Sequence, residues 1–106
     1  MTWPLTRGQV VQVELPHLDE PKLFVVVSNN RRNRALPSAL GVRLTTSPKP
    51  AIPSIVELGH PESFVGRVVC DDITEIFEDE VRGLKGGLTT AGLDAVDAGL
   101  RAALDL

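Results

Sequence analysis

Apolar residues change their spacing along this chain, and each change marks a different kind of element. Within residues 8–15, Val11, Val13 and Leu15 alternate with polar neighbours, the pattern of a half-buried strand. Residues 23–28 are instead almost continuously apolar, with Phe24, Val25, Val26 and Val27 in a row. The run is too short for a helix and rich in β-branched residues, so it predicts a central strand buried on both faces. Alternation returns in residues 40–46, where Val42 and Leu44 interleave with Gly41, Arg43 and Thr45. A short strand is expected at residues 55–58. Residues 65–70 and 73–77 should form one long or broken strand, and Gly83, Gly86 and Gly87 mark a turn or bulged strand near Leu84. Polar or proline-bearing segments separate these runs at residues 16–21, 29–37, 47–53 and 59–62. The 29–37 segment is a basic loop with room for one helical turn.

The last segment switches to helical spacing. Leu93, Val96, Leu100 and Leu104 form an apolar stripe, with Asp94, Asp97, Arg101 and Asp105 on the other side. Thr89 or Thr90 can cap its start through a hydroxyl. Gly92 and Gly99 each cost roughly 1 kcal/mol of helix propensity against alanine, so the helix should depend on docking its stripe. About five or six short strands with a terminal helix predict a mainly β (α+β) fold, a small barrel-like sheet such as an SH3-like barrel.

Size and composition narrow the class. At 106 residues one domain is expected, spanning residues 1–106. Cys70 is the single cysteine, so it has no partner for a disulfide or a zinc knuckle. No His/Cys/Asp cluster has ligand spacing, and no metal or cofactor is expected. The start at Met1 lacks the basic end and apolar run of a leader, and no stretch approaches a membrane span. A cytoplasmic protein is the default.

The net charge of −3 argues mildly against a nucleic-acid partner, but its distribution matters more. Residues 1–53 hold seven basic and three acidic residues; residues 54–106 hold four basic and eleven acidic. Lys22, Arg31, Arg32, Arg34, Arg43 and Lys49 follow one another with no acid between Glu20 and Glu57. Such polarity suits one basic face for an anionic ligand, and equally a set of solvated loop charges.

Five short segments resemble, in order, those of the MazF/PemK toxins. Arg7-Gly8-Gln9-Val10-Val11 resembles their Arg-Gly-Asp opening into the first strand. Val25-Val26-Val27-Ser28-Asn29-Asn30, with Asn33, resembles their apolar strand ending in Ser-Asn-Asp. Leu44-Thr45-Thr46 resembles the Thr-Thr end of the next strand, and Val69-Cys70-Asp71-Asp72-Ile73 a later strand segment. Leu88-Thr89-Thr90 through Leu104 resembles their terminal helix. The resemblance implies a twisted SH3-like β-barrel with a C-terminal helix, usually a homodimer. It also implies a toxin of a type II toxin–antitoxin pair, bound by a cognate antitoxin protein. Its activity would be metal-independent cleavage of single-stranded RNA by 2′-OH attack, leaving 2′,3′-cyclic phosphate and 5′-OH ends.

That chemistry needs a base near the 2′-OH, an acid for the leaving oxygen, and donors around the phosphorane. The family uses an arginine before the second strand and a threonine after the third. The threonine corresponds to Thr45; Thr46, on the opposite pleat face, is expected to pack or bond backbone at the edge of the RNA site. At the arginine's place, six residues before Ser28, this chain has Lys22, after a loop about five residues shorter than the family's. Lysine is a point charge without arginine's planar fork. Lys22 can therefore act itself, another cation such as Arg43 or Arg67 can replace it, or activity can be weak. His17, in the same short loop, is the side chain best suited to proton transfer near neutral pH, or an exposed loop histidine. Ser28, Asn29, Asn30, Arg31, Arg32, Arg34, Arg43, Thr46 and Arg67 are the expected RNA contacts, against the plainer reading of turn residues and solvated charges. Asp71 reads as a structural acceptor at a strand break, and Cys70 as a small buried hydrophobe. Two other activities stay open: a CcdB-like toxin that inhibits a topoisomerase by protein contact, and a catalytically weak homologue that only binds antitoxin.

Overall fold

The strands with the strongest apolar runs occupy the middle of the sheet. The computed structural model describes residues 3–106. Met1 and Thr2, where the leader features were sought, lie outside the described residues. The elements are β1 (Gln9–Val13), β2 (Lys22–Val26), α1 (Asn30–Ala35), β3 (Ser38–Thr45), β4 (Ile55–Leu58), β5 (Gly66–Phe77), a 3₁₀ turn at Glu78–Glu80, β6 (Val81–Gly87) and α2 (Thr90–Leu104). All six strands form one antiparallel sheet in the order β4-β5-β3-β2-β1-β6.

Both faces of the central strands are buried, as the continuous run in β2 requires. One face carries Val11, Val13, Phe24, Val26, Ala39 and Ile76, covered by Trp3, Leu5, Leu15 and Leu18. The other carries Val10, Val25, Val42, Leu44, Val68 and Cys70, covered by Val96, Leu100 and Ala103 of α2. The sheet is open rather than a closed barrel: β4 and β6 are its two edges. Docking of α2 covers the second face, so the apolar surface is buried without joining the edge strands.

Gly99 has a packing role that propensity alone hides. A Cβ on Gly99 of α2 would stand 2.7 Å from Cys70 Sγ and 2.8 Å from Val56 Cγ2. The helix therefore lies closer to the sheet than any larger residue would permit. Thr89 caps α2, its hydroxyl accepting from Gly92 N at 3.1 Å. Asp97, placed on the polar side by its spacing, is ion-paired with Arg7 ahead of β1.

The expected long or broken strand is the continuous β5, with a bulge. Val42 pairs with Ile73, but the next residue, Arg43, pairs with Val69. Cys70, Asp71 and Asp72 are thus the inserted residues. Asp71 accepts from Ser54 Oγ at 2.7 Å, and Cys70 N donates to Ser54 O at 3.0 Å. This bulge keeps Arg67 and Val69 on the same face as Thr45 and Arg43.

Candidate active site

Lys22 opens β2 and Thr45 closes β3. The strands are antiparallel, with Phe24 opposite Arg43 and Leu23 opposite Leu44. One step further in that register, Lys22 faces Thr45. Since side chains alternate, Lys22, Arg43 and Thr45 share one face. Thr45 pairs in turn with Arg67 of β5, and Arg67 with Glu57 of β4. Cross-strand pairing thus places Lys22, Thr45 and Arg67 in one row, with Arg43 beside it on the same face.

Glu20, Lys22, Arg43, Thr45, Thr46 and Ser47 line an open cleft of about 370 Å³ at this end of the sheet. Lys22 Nζ is 2.9 Å from Glu20 Oε1. The ammonium's hydrogen bond and charge hold the Glu20 carboxyl below its usual pKa. Thr45 Oγ1 accepts a bond from Ser47 N at 3.1 Å. That leaves its own O–H to donate into the cleft. Arg67 is tied to Thr46 O and Glu57 Oε1, each at 3.4 Å. Arg43 is half-buried, and its buried Nε has no hydrogen-bond partner among the described residues.

Gly66 sets the approach of β5 to the cleft. Its φ of +121° suits glycine, and a Cβ there would stand 2.5 Å from Thr45 O. Any side chain at 66 would push back the carbonyl of Thr45 itself.

The other expected RNA contacts do not meet in this cleft. Ser28 follows the far end of β2, roughly 20 Å from Lys22 at the usual strand rise. Ser28 is buried; its hydroxyl donates to Asn33 Oδ1 at 2.5 Å and accepts from Leu40 N at 2.9 Å. Asn29 caps α1, accepting from Arg32 N at 2.8 Å, and Asn30 Oδ1 accepts from Arg7 N at 2.7 Å. Arg32 donates to Ser38 O at 2.9 Å and to Ser38 Oγ at 3.4 Å. Ser28 is thus buried, whereas Asn29 and Asn30 are exposed and Arg32 is half-buried, each spending these groups on bonds within the chain. The reason is local: a strand end and a short helix start leave backbone donors that polar side chains must satisfy. Arg31 and Arg34 are exposed on α1. His17 is exposed on the turn before β2 and does not line the cleft.

Residues 6–104 match the family described as the PemK-like, MazF-like toxin of type II toxin–antitoxin systems. The chain belongs to that toxin family. It is 36% identical over 106 residues to Endoribonuclease MazF4 of Mycobacterium tuberculosis, covering 100% of this chain and 97% of that protein. Endoribonuclease MazF1 of Mycobacterium bovis matches with the same identity and coverage. Among solved structures, an endoribonuclease in complex with its cognate antitoxin from a mycobacterial species superposes with a TM-score of 0.86 at 35% identity, covering 95% of each chain. A MazE–MazF complex from Deinococcus radiodurans, at 18% identity, shares the fold with a TM-score of 0.81, covering 98% of this chain and 99% of that one.

In this MazF-like toxin, the sequence singles out Lys22 and Thr45 but not the groups that touch them. Glu20 and Ser47 each lie two residues from the side chain they touch. In extended chain that spacing puts neighbours on one side, a signal that was available. Glu57 and Gly66 gave no such signal, because only strand pairing brings them to the cleft.

Proposed function

We propose that the whole chain acts as one domain, a metal-independent endoribonuclease that cleaves single-stranded RNA in the cleft between Lys22 and Thr45. The scissile phosphate sits against Thr45, whose free O–H donates to a non-bridging oxygen as charge develops on the phosphorane. The 2′-oxygen forms a bond to phosphorus, the bond to the 5′-oxygen breaks, and the 2′-OH proton passes to a water of the open cleft. Lys22 supplies the cation and can give a proton to the departing 5′-oxygen, since a lysine titrates where an arginine does not. Arg43 and Arg67 draw the substrate backbone in, and Thr46 borders the cleft. Arg31 and Arg34 contact phosphates further along the strand. His17 stands outside the cleft and is given no step.

One observation carries this reading: Thr45 has its acceptor side occupied by Ser47 and its donor side open, among the cations of one face. The names of the relatives favour a nuclease over a topoisomerase-binding toxin or an inactive homologue. The protein is accordingly a cytoplasmic toxin held by a cognate antitoxin, working as a homodimer.

The test is cleavage of a long defined RNA in EDTA, with end analysis. Cyclic 2′,3′-phosphate and 5′-OH ends are expected. A 2′-deoxy nucleotide 5′ to the scissile phosphate should abolish cleavage, because the nucleophile is gone. Efficient cutting of that substrate, or a strict requirement for Mg²⁺, would overturn the mechanism.

A further inference from the structure

Every other cation of this site has a carboxylate beside it. Lys22 is paired with Glu20, and Arg67 with Glu57. Among the described residues, Arg43 makes no ion pair, and its Nε is a buried donor with no acceptor. A buried donor left unsatisfied is costly, the more so on a cation, and such groups in native folds call for an explanation. The stem of Arg43 runs between Phe24 of β2 and Val69 of β5, its cross-strand partners. Arg43 lines the same cleft as Lys22 and Thr45.

We propose that Arg43 is a catalytic residue of this toxin: its guanidinium donates to the non-bridging oxygens of the scissile phosphate through its two terminal nitrogens, the Nε itself being buried. The inference rests on the reading of this cleft as the RNA-cleaving site. It adds a group that neither Lys22 nor Thr45 replaces. A lysine stands at the start of β2 where the resemblance expects an arginine, so the planar bidentate donor is missing from that position. Arg43 returns it from the adjacent strand, diagonal to Lys22 across the β2–β3 pair. Diagonal neighbours lie about 7–8 Å apart at Cα, within reach of two long side chains. The two cations then divide the work. Arg43 donates to the charge on the phosphorane, while Lys22 serves the leaving oxygen.

The role predicts opposite effects on stability and activity. Arg43→Met keeps an apolar stem against Phe24 and Val69 but removes the unsatisfied donor. Its melting temperature should be equal to or above that of the wild type. Its kcat on a defined single-stranded RNA should fall by about 10²–10³, the scale for one transition-state donor. Arg43→Lys keeps the stem and the charge but has no fork, and should remain at least about tenfold below wild type. Wild-type turnover in Arg43→Lys would overturn the proposal, and it decides the matter if Arg43→Met fails to fold. Thr45→Ala run alongside separates the two levels. Loss of activity in Thr45→Ala with full activity in Arg43→Met removes Arg43 and leaves the cleft in place. Full activity in both removes the cleft as the cleavage site.

Discussion

Lys22 Nζ and Glu20 Oε1 lie 2.9 Å apart in the lining of the cleft, so the ammonium proposed to face the phosphate is already ion-paired in the free protein. RNA must displace that carboxylate. Lys22→Ala should lower kcat much more than affinity, since the contact matters most in the transition state. Glu20→Gln should tighten RNA binding at low salt, with the gain shrinking as salt screens the cleft. The Glu20 carboxyl, held low by Lys22, should titrate in its ordinary range in Lys22→Ala. Its depressed folded pKa means that the pairing is intact above the usual carboxylate range and lost as pH falls through the lowered value. NMR titration of Glu20 in both proteins checks this; an unchanged Glu20 pKa in Lys22→Ala would show that the pair does not persist in solution.

Thr45→Ala removes a donor aimed into the cleft and an acceptor for Ser47 N. Stability should change by no more than about 1 kcal/mol, the net worth of an ordinary hydrogen bond. Turnover should fall by about 10²–10³. Gly66→Ala should do the reverse in order of cause: the Cβ collides with Thr45 O, so the fold loosens there and activity falls with it. Thermal melts and initial rates on the two variants distinguish them.

The arginines of α1 should separate into two kinds. Arg32→Ala breaks the bonds to Ser38 and should lower stability by about 1–2 kcal/mol. Joint replacement of Arg31 and Arg34 by alanine should leave stability nearly unchanged. It should also weaken RNA binding and flatten its salt dependence, because fewer counterions are released. An unchanged salt slope would make Arg31 and Arg34 solvated charges without contact to RNA.

Cys70 is fully buried, and its thiol is pushed up to about 11, first by desolvation and then by the charges of Asp71 and Asp97. At neutral pH it is a thiol in both folded and unfolded chains. Between the ordinary thiol value of 9.0 and about 11, the unfolded chain ionises and the folded one does not. Stability should therefore fall as pH rises through that window, and the fall should vanish in Cys70→Ala. Denaturant midpoints at pH 8 and pH 10.5 measure it. Alkylating reagents at pH 8 should label Cys70 only on unfolding.

The segments that resembled the family turn out to be legible for two different reasons. Thr45 was visible because it serves the proposed chemistry directly. Arg7, Ser28, Asn30 and Asn33 were visible because they fasten the start of β1, the end of β2 and α1 together. Arg7 N donates to Asn30 Oδ1, its side chain holds Asp97 of α2, and Asn33 Nδ2 donates to Ser28 O at 3.0 Å. A polar motif reads the same in sequence whether it binds a ligand or the backbone; only its partners distinguish the two.

The sequence by itself determined which segments are strands, that β2 is buried on both faces, and that the last fifteen residues of periodic spacing dock as a helix. These follow from local periodicity, because a pleat repeats every two residues and a helix every 3.6. It also determined that Lys22 stands where an arginine was expected. The tertiary structure alone decided that the sheet stays open and that a three-residue bulge at Cys70–Asp72 realigns β5. It alone decided that Lys22, Arg43, Thr45 and Arg67 share one face at one end of the sheet while Ser28 to Arg34 lie at the other end. The physical reason is that register is a relation between strands distant in the chain. A shift of one residue would turn every one of these side chains to the opposite face, and nothing local to any single strand specifies it.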